Sequence, residues 1–140
     1  MIPYLSIYYL ALRNNMRLLL DTHVFLWCIK DDRHLSKIIR SKITHATEVF
    51  ISSASIWEIA IKIKLGKLDI DLDHSIAAIE DSGYLELPIT TKHAAYIYQL
   101  PNLHQDPFDR MLIAQAICEP LKLLTADTKL KNYSELVEII

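Results

Sequence analysis

Apolar residues in this chain fall into short dense runs, separated by longer stretches in which they recur at helical spacing. Arg17-Leu18-Leu19-Leu20 and Glu48-Val49-Phe50-Ile51 are runs of branched and aromatic side chains, the pattern of strands buried on both faces. Residues 84–87 and 121–124 repeat the type, and 137–140 supply a last edge strand. Between the runs, helical spacing predicts helices over 35–43, 53–65 (before Gly66), 74–81 (before Gly83), 91–100 and 107–118 (before Pro120). Strand and helix alternate almost throughout. That order predicts an α/β domain with a mostly parallel central sheet, whose ligands bind outside the carboxyl ends of the strands.

A chain of 140 residues, 51% hydrophobic, builds one core and is short for two ordinary domains. Residues 1–15 stand apart. The apolar stretch from Ile2 to Leu10 has no basic residue before it and no small-residue cleavage site, so it is a poor signal peptide. It also falls short of the ~20 apolar residues of a membrane helix. Met16 directly precedes the first strand, so 1–15 read as an N-terminal extension and 16–140 as the working domain. No membrane association is expected. Cys28 and Cys118 lie in apolar stretches without paired spacing, which predicts buried thiols in a reducing, cytoplasmic setting.

The candidate chemistry lies in the acids. Asp21 closes the first apolar run, Glu58 follows Ser53-Ala54-Ser55-Ile56-Trp57, Asp109 lies in Asp106-Pro107-Phe108-Asp109-Arg110, and Asp127 closes Leu123-Leu124-Thr125-Ala126. Each has a structural explanation. Ser55 and Glu58 match a capping box, Asp106-Pro107 an N-cap with proline at the first helical position, and Asp21 and Asp127 caps of the segments after them. Parallel connections, however, gather helix starts at one sheet edge, and the acids would meet there. Carboxylates in such contact repel by roughly 4 kcal/mol per close pair at intermediate dielectric, so the cluster calls for a cation. Mg²⁺ or Mn²⁺ suits oxygen ligands of this kind, and it can activate water and offset charge at a phosphodiester. Nuclease chemistry follows.

Other chemistries find less support. The six histidines form no His-Glu-x-x-His pattern and the cysteines no thiolate pair, so zinc fits less well. With only Gly66 and Gly83, the chain has no phosphate-cradling glycine loop. A formal net charge of -2 argues against a generally basic nucleic-acid coat but permits a local basic lip around an acidic pocket. Lys62, Lys64, Arg110, Lys129 and Lys131 are the nearby basic residues. Lys62, four residues after Glu58, is expected to pair with it, while Arg110 and Lys129 are the candidates for substrate phosphate. His23 is the histidine next to a candidate metal acid, with either a structural role or one in positioning substrate or water. Trp27 and Trp57 are expected to pack in the core.

The blocks 16–23, 52–59, 104–116 and 124–127 together resemble PIN domains of the VapC toxin type, over residues 16–133. The resemblance implies a three-layer α/β/α sandwich, a metal-dependent endoribonuclease acting on RNA, and a cognate antitoxin protein that inhibits it. It implies a homodimer as well, placed by us in the region 35–65. By position, Asp21, Glu58 and Asp109 correspond to the acids that gather the metal, and Asp127 to a fourth, more peripheral one. Asp106 is the alternative to Asp109. A catalytically inactive PIN-like binding protein is one competing class. A Mg²⁺-binding phosphoacceptor domain is another, disfavoured because Thr22 and His23 follow Asp21 where such domains place a second acid.

Overall fold

The computed structural model describes residues 16–140, so the expected extension 1–15 lies outside the described residues. Strands β1 (Arg17–Leu20), β2 (Glu48–Ser52), β3 (Leu85–Leu87), β4 (Lys122–Thr125) and β5 (Val137–Ile139) form one sheet in the order β3-β2-β1-β4-β5. All pairings are parallel. The helices are α1 (Thr22–Lys30), α2 (Lys37–Thr44), α3 (Ser53–Lys64), α4 (Leu72–Asp81), α5 (Thr91–Tyr96) and α6 (Pro107–Cys118). Short 3₁₀ turns cover Ile97–Gln99 and Thr128–Tyr133.

Period-two alternation within the strands divides the core into two layers. Leu18, Leu20, Val49 and Ile51 pack with Val24, Phe25 and Ile59 on one face, whereas Leu19 and Leu123 pack with Leu112, Ile113 and Ala116 on the other. The result is the expected three-layer α/β/α sandwich. Because both faces are covered, the strands carry no polar alternation, which is why they read as unbroken apolar runs.

Several boundaries differ from the expectation for identifiable reasons. Ser36 caps α2 and Asp71 caps α4, so these helices start at Lys37 and Leu72 rather than at 35 and 74. The stretch 91–100 leaves α-geometry after Tyr96 and tightens to a 3₁₀ turn ahead of Pro101. The capping box at Ser55 does not form. Ser52 is the N-cap of α3, accepting from the Ala54 amide at 3.0 Å, and Ser55 is buried inside the helix, accepting from Thr22 Oγ1 at 3.0 Å. Both cysteines are half-buried rather than fully so. Burial still pushes the Cys28 thiol above its ordinary value, against reactivity.

Candidate active site

The chain order of the sheet creates the site. β1 has β2 on one side and β4 on the other, so its two neighbours are reached by connections running in opposite directions, and a crevice opens at its carboxyl end. The ladder runs one residue past β1, with the Asp21 amide donating to Leu124 O at 3.0 Å. The Asp21 side chain is then fixed from two directions: Oδ1 accepts from the Val24 amide at 2.8 Å, and Oδ2 accepts from the Thr125 hydroxyl. Thr125 in turn receives the Asp127 amide at 3.0 Å, so one threonine at the end of β4 orients two acids.

Thr22 and Ser55 tie the first turns of α1 and α3 together, which carries Glu58 to the same crevice. Asp21 and Glu58 are each only 7% exposed. Glu58 meets Lys62 at 2.9 Å, the expected helix-face pair. From the third side comes α6, whose N-cap Asp106 accepts from the Phe108 and Asp109 amides at 2.8 and 3.1 Å. Asp109, one turn in, receives a 2.9 Å hydrogen bond from His104 Nε2. That nitrogen also lies 3.9 Å from Asp127 Oδ2. Asp127 Oδ1 caps the 3₁₀ turn by accepting from Lys129 N at 3.0 Å.

Asp21, Glu58, Asp106, Asp109 and Asp127 thus line one cleft of about 420 Å³ together with Thr22, His23, Trp27, Lys62, His104 and Ala126. Capping and clustering coexist. Asp21, Asp106 and Asp127 spend one carboxylate oxygen on a helix start and still face the cleft. The electrostatic consequence falls on Asp109. Burial first, and then the charge of Asp106, push its carboxyl up to about 6, with Asp21 and Glu58 adding to the rise and the His104 hydrogen bond opposing it. Burial also raises Asp21, against the hydrogen bonds from Thr125 and Val24. Crowded, desolvated carboxylates that hold protons in this way are a site short of positive charge.

Three side chains lie elsewhere than at the expected positions. Arg110 does not face the cleft; its guanidinium donates to Pro101 O at 2.9 Å, and to His104 O and Tyr133 Oη at 3.3 Å, and so braces the loop that carries His104. Lys129 is exposed and does not line the cleft, where Lys62 is the lysine present. Trp57 is not in the core but 58% exposed, edge-on to Phe108, while Trp27 is half-buried and lines the cleft. Sequence reasoning also missed His104. Its nitrogen lies with carboxylate oxygens of Asp109 and Asp127 in a group within 4.8 Å, and the expected His23 lines the same cleft. No helical or metal-motif spacing links 104 to 109 across a helix start, so the signal lies only in the loop's return.

The PIN domain family model matches residues 18–136. The chain belongs to the PIN-domain family. A relative of this PIN domain is Ribonuclease VapC22 of Mycobacterium tuberculosis, 27% identical over 117 residues, covering 82% of this chain and 90% of that protein. Among solved structures, VapBC2 from Rickettsia felis bound to a promoter DNA fragment superposes with a TM-score of 0.66 at 17% identity, over 89% of this chain and 99% of that one. DNA-bound VapBC from Salmonella typhimurium gives 0.63 at 18% identity, over 89% and 98%. At that identity the likeness is one of fold, and it agrees with the all-parallel sandwich described above.

Proposed function

We propose that this PIN domain is a metal-dependent endoribonuclease and the toxin half of a toxin–antitoxin pair. The observation that carries the reading is the convergence of Asp21, Glu58 and Asp109 in one cleft, with the Asp109 carboxyl raised to about 6. Membership of the family and the likeness to a relative named as a ribonuclease support it. The donor set fits Mg²⁺ or Mn²⁺: Asp21, Glu58 and Asp109 offer hard oxygen ligands on three separate elements, and Asp127, with a carboxylate oxygen within 4.8 Å of donor atoms of Asp109 and His104, is a fourth. When bound, such an ion supplies an activated water and offsets charge at a phosphodiester undergoing in-line displacement.

The chain's own residues do the rest. Thr125 and the Val24 amide orient Asp21, His104 orients Asp109, and Asp106 holds the first turn of α6 in register. Lys62, which lines the cleft in its ion pair with Glu58, is the cation that would stand beside the scissile phosphate. The solved relatives are VapBC assemblies, and by that likeness a cognate antitoxin would cover this cleft, presenting a cationic side chain to the acids. Along α3 and its C-cap, Trp57, Ile61 and Leu65 are 58%, 38% and 62% exposed at four-residue spacing, an apolar stripe that supports a homodimer through this region.

The test is cleavage of single-stranded RNA with Mg²⁺ or Mn²⁺, against EDTA controls. Asp21→Asn and Asp109→Asn are expected to lose activity by about 100-fold or more, and Asp127→Asn by less. Full activity in both purified Asp21→Asn and Asp109→Asn proteins overturns the reading.

A further inference from the structure

We propose that Trp27 and His23 form a nucleobase subsite beside the acids, which takes an unpaired base adjoining the scissile phosphate; this rests on the nuclease reading. The two side chains are one helical turn apart on α1, whose N-cap is Asp21. Their rings approach edge to face, with centroids 6.5 Å apart at 76°. Both line the cleft that holds Asp21, Glu58 and Asp109. Trp27 is six residues beyond Asp21, about 9 Å along the helix axis at 1.5 Å per residue, a span on the order of one nucleotide.

The indole is held in place. His34 stacks on it with centroids 4.8 Å apart and planes 9° from parallel. Asp32 fixes His34 in turn, accepting from its backbone amide at 2.9 Å and meeting its ring Nδ1 at 2.6 Å. A side chain needed only to fill the core gains nothing from an exposed imidazole fastened over it, whereas a recognition platform gains a fixed orientation. Trp27 packs its body partly against the core, and His23 is exposed where it lines the cleft. Neither the indole N–H nor the His23 ring nitrogens make a hydrogen bond among the described residues. These are the unspent donor and acceptor groups that a base edge would use.

The chemistry separates the cleft into two parts. Acids face the phosphate and the metal, while Trp27 with Ala126 offers an apolar wall on which a base can lie. Single-stranded nucleic acid is recognised in this way, by aromatic faces that accept bases splayed out of a stack. Duplex RNA, whose bases are stacked, would be excluded from such a subsite.

The experiment uses W57F, which leaves Trp27 as the sole tryptophan. Its fluorescence is titrated with a tetraribonucleotide and with an abasic tetramer of the same backbone, in Ca²⁺ to slow cleavage. The base-bearing oligomer should shift Trp27 emission and bind roughly tenfold more tightly than the abasic one. In cleavage assays, W27A and H23A should raise KM for single-stranded RNA by about that factor with a smaller effect on kcat, and W27F should recover most of the W27A loss. Equal binding of the two oligomers with no emission change overturns the subsite even if W27A fails to fold. Cleavage by wild type with unaltered KM in W27A overturns the subsite and leaves the nuclease standing. Base-dependent Trp27 emission in W57F, with a wild-type protein that cleaves nothing, removes the nuclease reading instead.

Discussion

Asp109 shows how one side chain reports on its surroundings. Folded, its carboxyl keeps a proton up to about 6, whereas the unfolded chain releases it near the ordinary value of 3.8. Between those values the native state binds more protons than the unfolded one, so stability falls as pH rises through the window. Metal-free protein should therefore lose about 1–2 kcal/mol between pH 4 and pH 7 from this group, once solvent screening is allowed for. Asp21, raised by burial, pushes the same way. Thermal melts in EDTA across this range check the slope. In Asp109→Asn the slope should flatten, and the variant should melt at or above wild type near pH 7, because the amide relieves repulsion. Saturating Mg²⁺ should reverse the order, adding about 2.7 kcal/mol to wild type at a hundred times its dissociation constant and less to the variant. A wild type indifferent to metal, with Asp109→Asn melting well below it in EDTA, would make these acids helix caps alone.

At the level of elements, α6 separates two duties that coincide in one residue. Asp106 caps the helix and also lends its charge to the cleft. Asn caps as well as Asp, so Asp106→Asn should keep stability while lowering the Asp109 carboxyl toward its usual range. Asp106→Ala should cost about 1 kcal/mol in denaturant melts, since two amides lose their acceptor. If both variants destabilise equally, the cap is not what Asp106 supplies. This dual use also explains what the sequence made legible. Asp21 was readable because it closes a strand of a parallel sheet, Glu58 because its helix starts directly after β2, and Asp109 because Pro107 marked the start of α6. The Ser55 capping box misled because Ser52, three residues earlier, satisfies the same local rule and the strand ends there. Arg110 and His104 were opaque for a different reason. Both act across a loop closed by carbonyl acceptors and a distant tyrosine, contacts that no local spacing encodes.

For the molecule as a whole, β1 begins at Arg17 and is paired on both sides within the described residues. A protein starting at Met16 should fold and cleave RNA like the full chain; insolubility or inactivity on truncation would move the boundary. The apolar stripe on α3 makes a further expectation, that Ile61→Asp with Leu65→Asp shifts a dimer to monomer in sedimentation at micromolar concentration. A wild-type monomer there would remove the dimer. The Asp21 amide, finally, belongs to the central β1–β4 ladder between wholly buried leucines, whereas His104, which bonds Asp109, lies on a loop that Arg110 and Tyr133 brace through its carbonyls. The cleft should therefore join a slowly opening part of the protein to a faster one. Amide exchange should already be slow at Leu19 to Asp21 without metal, and Mn²⁺ or Mg²⁺ should slow it chiefly around residues 102–106, as if the ion were the last piece of that loop to fold.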